Sequence, residues 1–314
     1  MSTFYNRDSN ITELNPISSL TYIPTYGSRV QFSCNTNKYE TSDGYFNQIP
    51  LSINSLTAKF DLKFDLNEEE SKKLINFIEN KNGVYDITFS DPSSIYKNID
   101  GFCTEYAINR INKNHYEVAI SLDIKEVPNL FNWYSMSYVN AIYKTWSNNI
   151  FYKKYDIVQY NTTSILNKLN TFYYCSSDHN SLLGVGTKPE DALSAWKQDF
   201  FFEPDFTMQN TVNLKVSKLN FKNSFTQNIK TQKNIASLNL TYKFSNITTQ
   251  KARAILHFLE NKGGYRRFRV NMDSVYNKPK VFYAPSWTHT WKFEDSHDIE
   301  VELIEDPLGV IPKD

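Results

Sequence analysis

Several absences narrow the field before any motif is read. The 314-residue chain carries 34 basic and 34 acidic side chains, so it lacks the basic excess that a duplex-binding surface needs. A chain with so little net repulsion associates readily, which suits a subunit of a larger assembly. There are only 3 cysteines, Cys34, Cys103 and Cys175, an odd and scattered set that excludes a disulfide framework and reads as buried free thiols. No apolar run approaches the roughly 18 residues of a membrane helix, and Met1 to Ser19 lacks a basic and then apolar leader. The chain is therefore expected to fold in a cytoplasm, without a membrane. Nucleophile elbow, phosphate loop and metalloprotease helix are all missing, and no paired-carboxylate geometry can be read from the sequence, so nothing points to an enzyme or to a cofactor. Glycine is scarce too, 9 residues against 21 Tyr and 22 Phe, and that aromatic wealth fits a β-rich protein with large contact surfaces.

What is present is said twice. Phe77-Ile78-Glu79-Asn80-Lys81-Asn82-Gly83 returns 181 positions further on as Phe258-Leu259-Glu260-Asn261-Lys262-Gly263-Gly264. The flanks repeat at nearly the same offset. Upstream, the alternating Leu56, Ala58, Phe60, Leu62, Phe64 matches Ala236, Leu238, Leu240, Tyr242, Phe244, and Tyr22-Ile23-Pro24-Thr25-Tyr26 matches Phe202-Glu203-Pro204-Asp205-Phe206. Downstream, Gly101-Phe102 aligns with Val281-Phe282, and Val118, Ile120, Leu122 with Ile299, Val301, Leu303. Two copies are too few for a solenoid, so the chain is a tandem pair of globular modules.

The boundaries fall at residues 1–134 for the first module with an N-terminal arm, 135–200 for a dissimilar insert, and 201–314 for the second module. Each module reads as short strands, one strongly alternating strand, a helix, a Gly turn and further strands. The first helix should start with Asn67 as N-cap and Glu70 as its capping-box partner, with Glu68, Glu69 and Glu70 at the positive end of the dipole. Leu74, Ile75, Phe77 and Ile78 form its apolar face. The second helix should begin after Thr248, present Ile255, Leu256, Phe258 and Leu259, and stop at Gly263-Gly264. Helices this short need a sheet to pack on. Lys72, Lys73, Lys251 and Arg253 on the polar sides read mainly as a solvated face balanced by nearby acids.

Tyr265-Arg266-Arg267-Phe268-Arg269-Val270 is basic in the second copy only. Arg266, Arg267 and Arg269 are candidates for a ring or partner interface, with Arg266 facing away from the other two; an ordinary surface strand is the alternative. The insert is too long for a structureless loop and too aromatic for disorder, and its Tyr155–Tyr160, Phe172–Cys175 and Trp196 segments suggest a three-stranded mini-β fold. Trp146, Tyr160, Tyr173, Tyr174 and Trp196 offer rings that can stack on sugars, although a small domain also needs such residues as core. Trp196 and Tyr160 are assigned to that core, while Tyr174 should be exposed because it alternates with Tyr173. Trp146, Tyr173 and Tyr174 are thus the candidate glycan contacts. Cys175, Asp178 and His179 lack a second ligand pair and read as a loop with a thiol, so no metal is expected. Trp287, His289 and Trp291 share one strand face and read as an aromatic interface or core stripe.

An ordered set of features in the second module resembles the minor tail protein M, or distal tail protein, family of lambda-type bacteriophages. It comprises Ser224-Phe225-Thr226-Gln227, the alternating strand, the helix closing on Phe258 to Gly264, Arg267-Phe268-Arg269, and Ser286-Trp287-Thr288-His289-Thr290 before a final strand at Ile299 to Leu303. The first module keeps Gly44-Tyr45-Phe46-Asn47-Gln48 but has Thr104-Glu105-Tyr106 where that family's Ser-Trp falls, so its membership follows from the repeat. The insert, through Asp156-Ile157-Val158-Gln159-Tyr160, Tyr173 and Trp196, resembles small chitin- and cellulose-binding modules, with Tyr155 replacing their Gly. The resemblance implies two tandem tail-tube-like β-sandwich or barrel modules, each with one flanking α-helix, separated by a small all-β domain. It further implies a structural virion protein that forms a ring at the distal end of a tail tube, a hexamer rather than a trimer. The implied partners are copies of itself, a tail tube protein and a baseplate hub protein, with DNA only as passing cargo in the lumen. The implied location is the virion tail, assembled in the host bacterial cytoplasm. A host surface glycan is the partner in the alternative reading, a carbohydrate-binding adhesion protein.

Overall fold

The computed structural model describes residues 23–41, 46–52, 55–81, 83, 87–89, 95–96, 99–124, 143–160, 171–181, 188–205, 209–214, 217–220, 226–229, 236–271 and 279–306. The early motif residues Gly44-Tyr45 and Ser224-Phe225 lie outside them.

In the first repeat the order is β1 (Arg29–Cys34), a hairpin of β2 (Thr36–Glu40) and β3 (Phe46–Pro50), β4 (Leu56–Asn67), α1 (Glu68–Lys81), β5 (Ile87–Phe89), β6 (Ile99–Arg110) and β7 (His115–Ile124). The expected alternation is seen in β4, where Ala58, Phe60, Leu62, Phe64 and Leu66 point into the core and the intervening Lys59, Lys63 and Asp65 face water. The α1 capping box is formed: the Glu70 N–H donates to Asn67 Oδ1 at 2.9 Å and the Asn67 N–H to Glu70 Oε2 at 3.2 Å.

After the insert the same sequence of elements returns as β14 (Gln209–Leu214), the hairpin β15 (Ser217–Asn220) with β16 (Thr226–Ile229), β17 (Ala236–Ile247), α2 (Thr249–Lys262), β18 (Phe268–Val270), β19 (Lys280–Phe293) and β20 (Ser296–Glu305). Thr248 caps α2 by accepting from the Lys251 N–H, and Gly263 closes it at φ 60°. The copies agree down to single backbone bonds. The Thr25 N–H donates to Lys63 O, and the equivalent Asp205 N–H to Lys243 O, each at 2.7 Å.

Strand order departs from expectation. Separate sandwiches or barrels were expected, yet among the described residues no closed barrel is formed. Apart from the hairpins β2-β3 and β15-β16, the strands of both repeats make one sheet in the order β14-β17-β20-β19-β1-β4-β7-β6-β5, with β18 also on β19. The reason is β1, which pairs antiparallel with its own β4 on one side and with β19 of the other repeat on the other. Each repeat thus contributes the same run of strands to a common sheet, and α1 and α2 pack on it against β4 and β7, and β19 and β20, respectively.

The insert is also larger than the three strands expected. β8 (Tyr143–Thr145), β10 (Ile157–Tyr160), β11 (Thr171–Cys175) and β13 (Trp196–Lys197) form a four-stranded sheet, and β9 (Phe151–Tyr152) with β12 (His179–Asn180) a two-stranded ribbon. The unanticipated strand of the four-stranded sheet is β8, held by parallel pairing to β10, and the ribbon of β9 and β12 was not expected either.

Candidate assembly interface

The repeats meet at a junction where β1 pairs with β19. Its register sets Val30 opposite His289 and Phe32 opposite Trp287. The Phe32 and Trp287 rings stack at 5.2 Å between centroids, while Trp291 lies 6.0 Å from Phe60 and edge-on to Tyr96 at 5.8 Å. Trp287, His289 and Trp291 do share one buried face, and that face is where the repeats meet.

A buried hydrogen-bond chain runs through it. Tyr96 Oη and His289 Nδ1 are 2.7 Å apart, His289 Nε2 and His297 Nδ1 3.0 Å, and His297 Nε2 and Thr249 Oγ1 2.9 Å. The chain therefore links the first repeat to the start of α2. Desolvation, together with the neighbouring His297, holds His289 well below the usual imidazole range, so it is neutral here. At the far end of α2, Cys34 Sγ–H donates to Gly263 O at 3.1 Å, and a Cβ on Gly264 would meet Cys34 Cβ at 2.4 Å. Sequence reasoning missed Tyr96 and His297, and it read Cys34 as a buried free thiol without placing it at this junction, where it is only partly buried. For His297 a signal existed, since it alternates with the buried Ile299, Val301 and Leu303 on β20.

A cavity of about 440 Å³ lies at one end of this junction, lined by Pro24, Tyr26, Leu62, Asp65, Trp291 and Phe293 among others. Its serine, Ser28, is fully occupied: Oγ–H donates to Thr25 O at 2.8 Å and Oγ accepts the Lys63 N–H at 2.9 Å. Among the described residues no cluster of three or more His, Cys, Asp or Glu is placed to hold a metal. Cys175, Asp178 and His179 each have other work. Burial pushes the Cys175 thiol up to about 12, Asp178 Oδ1 accepts the Lys154 N–H at 2.8 Å, and His179 packs edge-on to Trp196.

The insert docks on α2. Tyr174 Oη is 2.9 Å from His257 Nδ1, the Phe172 ring lies 4.7 Å from the His257 ring, and Gln250 Nε2 donates to Asp156 Oδ1 at 2.9 Å. Tyr155 stacks on Phe201 and Phe202. The exposure expected of Tyr174 is thus corrected. It does alternate with Tyr173, but both faces of β11 are covered: Tyr173 sits in the insert's own core with Tyr152 and Trp196, and Tyr174 in the contact with α2. Of the three candidate glycan contacts only Trp146, half-buried and edge-on to Tyr160 at 5.5 Å, keeps part of its surface open.

The three arginines do not act together. Regular strand starts only at Phe268, so the facing expected of an unbroken strand is lost before it. Arg267 forms an ion pair with the buried Asp306 and belongs to the interior. Arg266 lies 5.8 Å over the Tyr265 ring and Arg269 is exposed.

Two sheet edges are left open. β14 pairs only with β17, and β6 beyond Gly101 only with β7, among the described residues.

No protein-family profile matches the chain, and no curated protein does. Among solved structures it is similar to the E. coli c3393 protein, a component of the type VI secretion system described as structurally similar to the T4 bacteriophage tail proteins gp27 and gp5. That match has a TM-score of 0.31 and 9% identity, and covers 93% of this chain and 77% of the other. A second is a tail protein from Neisseria meningitidis MC58, with a TM-score of 0.28, 9% identity, and coverage of 90% and 93%. Both likenesses are weak.

Proposed function

We propose that this chain is a structural subunit of a bacteriophage-type tail, forming a ring at the distal end of the tail tube and joining tube to hub in the baseplate core. The observation that carries this reading is the pairing of β1 with β19, by which two copies of one module extend a single sheet edge to edge. A module that joins another copy of itself by one edge and keeps the opposite edge in the same sheet is a repeating unit, and its head-to-tail contacts close into a ring or run on as a filament. The ordered motifs of the second repeat, and their resemblance to the distal tail family, favour the ring and a place in a virion tail. In this reading copies of the chain itself, a tube protein and a hub protein are the partners, DNA is passing cargo, and no catalysis is involved.

The arrangement also bears on the number of chains. In a ring of six modules a hexamer of chains would stack the two modules of each in layers, and their side-by-side place in one sheet favours three chains instead. If the resemblance supplies six modules to a ring, three chains supply them. The adhesion alternative is weakened by the burial of Tyr173 and Tyr174. Native mass spectrometry of the purified full-length chain, with negative-stain class averages, tests the reading. Closed particles of three chains are expected; a monomer that binds a chitin-type oligosaccharide through the insert would put the adhesion role in its place.

A further inference from the structure

We propose that residues 105–109 of β6 in one copy pair antiparallel with residues 209–213 of β14 in the next, repeating between chains the junction that β19 and β1 make within one. The proposal rests on the ring reading above and names the surface that closes it.

The partition of β19 provides the template. Lys280 to Phe282 take β18, a register shift follows between Tyr283 and Ser286 on the β20 side, and Ser286 to Thr290 take β1. Its repeat counterpart β6 is partitioned the same way. Ile99 to Gly101 take β5, a register shift follows between Cys103 and Glu105 on the β7 side, and Glu105 to Asn109 have no second strand among the described residues. The complementary edge is equally marked. β14 lies on β17 as β1 lies on β4, with Val212 opposite Leu238 where Phe32 is opposite Ala58, yet among the described residues only β1 has a partner on its other side.

Carrying the internal register across places Tyr106 opposite Val212, Ala107 opposite Thr211 and Ile108 opposite Asn210. The side chains suit such a contact. Tyr106, Ile108, Val212 and Leu214 are large apolar residues left 36%, 43%, 51% and 65% exposed, and the first three stand at the positions of Trp287, His289 and Phe32, all buried in the internal junction. Tyr106 Oη donates to Glu79 Oε1 at 2.9 Å, which fixes its ring against α1. Open edges carrying apolar side chains and no proline recruit another strand, the main chain supplying affinity and the side chains the register. Because the two edges are different surfaces, the occupant is a second copy in head-to-tail orientation and not a two-fold partner.

The test uses the full-length chain carrying Ala107→Cys with Thr211→Cys, both exposed positions, oxidised at assembly concentration. Expected are chain-to-chain disulfides that build up to the closed species at unchanged native mass, with neither single variant cross-linking. Ile108→Lys and Val212→Lys, each checked by circular dichroism to be folded, should weaken association at least about tenfold. Rings that give no cross-link and tolerate both lysines would overturn this interface while leaving the ring reading in place. A chain that stays monomeric and uncross-linked at every concentration would overturn both.

Discussion

α1 and α2 follow equivalent strands of the two repeats, yet α1 buries only Ser71, Leu74 and Ile78, whereas α2 buries Ala252 and every residue from Ala254 to Leu259. The inner face is common to both, because the Leu/Ile/Phe pattern that attaches helix to sheet was duplicated. The outer face is not. Where α1 has Lys73 and Asn76, α2 has Ala254 and His257, and the insert docks there through Tyr174 and Phe172. A duplicated element thus keeps its inward contacts while two outward substitutions turn a solvated face into a second interface.

The sharpest way to break this comparison is to truncate the same position in both copies. Phe258 is fully buried, with Phe200, Phe268 and Tyr174 within 5.5 Å of its ring, while Phe77 is only partly covered. Phe258→Ala should cost about 3–5 kcal/mol and Phe77→Ala about 1–2 kcal/mol, read from urea unfolding of each variant. Equal losses would mean that the insert adds nothing to the second helix.

The glycines that follow the helices come next. Both have positive φ, +68° at Gly83 and +79° at Gly264, so alanine strains either. An added Cβ at position 83 meets only Cys103 O at 3.2 Å, but at position 264 it lands 2.4 Å from Cys34 Cβ, which β1 cannot withdraw without disturbing its pairing with β19. Gly83→Ala should therefore cost about 1 kcal/mol and Gly264→Ala roughly 2–3 kcal/mol. Thermal melts that rank the two the other way round would contradict the close approach of β1 to the end of α2.

Acid should act on the second repeat more than the first. Burial pushes His257 down to about 3, and His289 and His297 are lowered as well, while the first repeat has Asn76 and Ile108 where the second has His257 and His289. A base whose folded pKa lies below its unfolded value near 6.5 binds more protons when unfolded. Stability is therefore full above about pH 6.5 and falls as pH drops towards the folded value. For His257 alone the loss is about 2 kcal/mol at pH 5. Replacing it with Asn, as at position 76, should flatten the fall of Tm between pH 7 and 5; an unchanged slope would locate the acid sensitivity elsewhere.

How much of this could be read in the sequence depended on whether the cause was local. Asn67 with Glu70, Thr248 and Gly263 were legible as caps because each acts within a turn of its own helix. The alternation of Leu56 to Phe64 was legible because a half-buried strand writes its period into its own residues. The junction was not, since Val30 meets His289 across almost the whole chain, and nothing in Arg29 to Cys34 says which second strand it will take. Tyr174 misled for a related reason. Alternation separates the two faces of β11 correctly, but it cannot tell that a helix from another part of the chain covers the second one.

The smallest effect tests the polar sides of the two helices. On α1, Lys72 and Lys73 pair one turn back with Glu68 and Glu69 at 2.6 and 2.8 Å, all of them open to solvent, the solvated face that the sequence suggested. On α2, Lys251 is half covered. Its Nζ lies 5.4 Å over the Phe244 ring and 5.8 Å over that of Tyr155, a residue of the insert, and desolvation lowers its pKa. Lys251→Ala should therefore cost about 1 kcal/mol through lost cation–π and packing contacts, whereas Lys72→Ala should leave Tm unchanged within error. If Lys251→Ala were as silent as Lys72→Ala, the ring of Tyr155 would not be held over that ammonium in solution. The docking of the insert would then rest on Tyr174, Phe172 and His257, on the Gln250–Asp156 hydrogen bond and on the stacking of Tyr155 against Phe201 and Phe202.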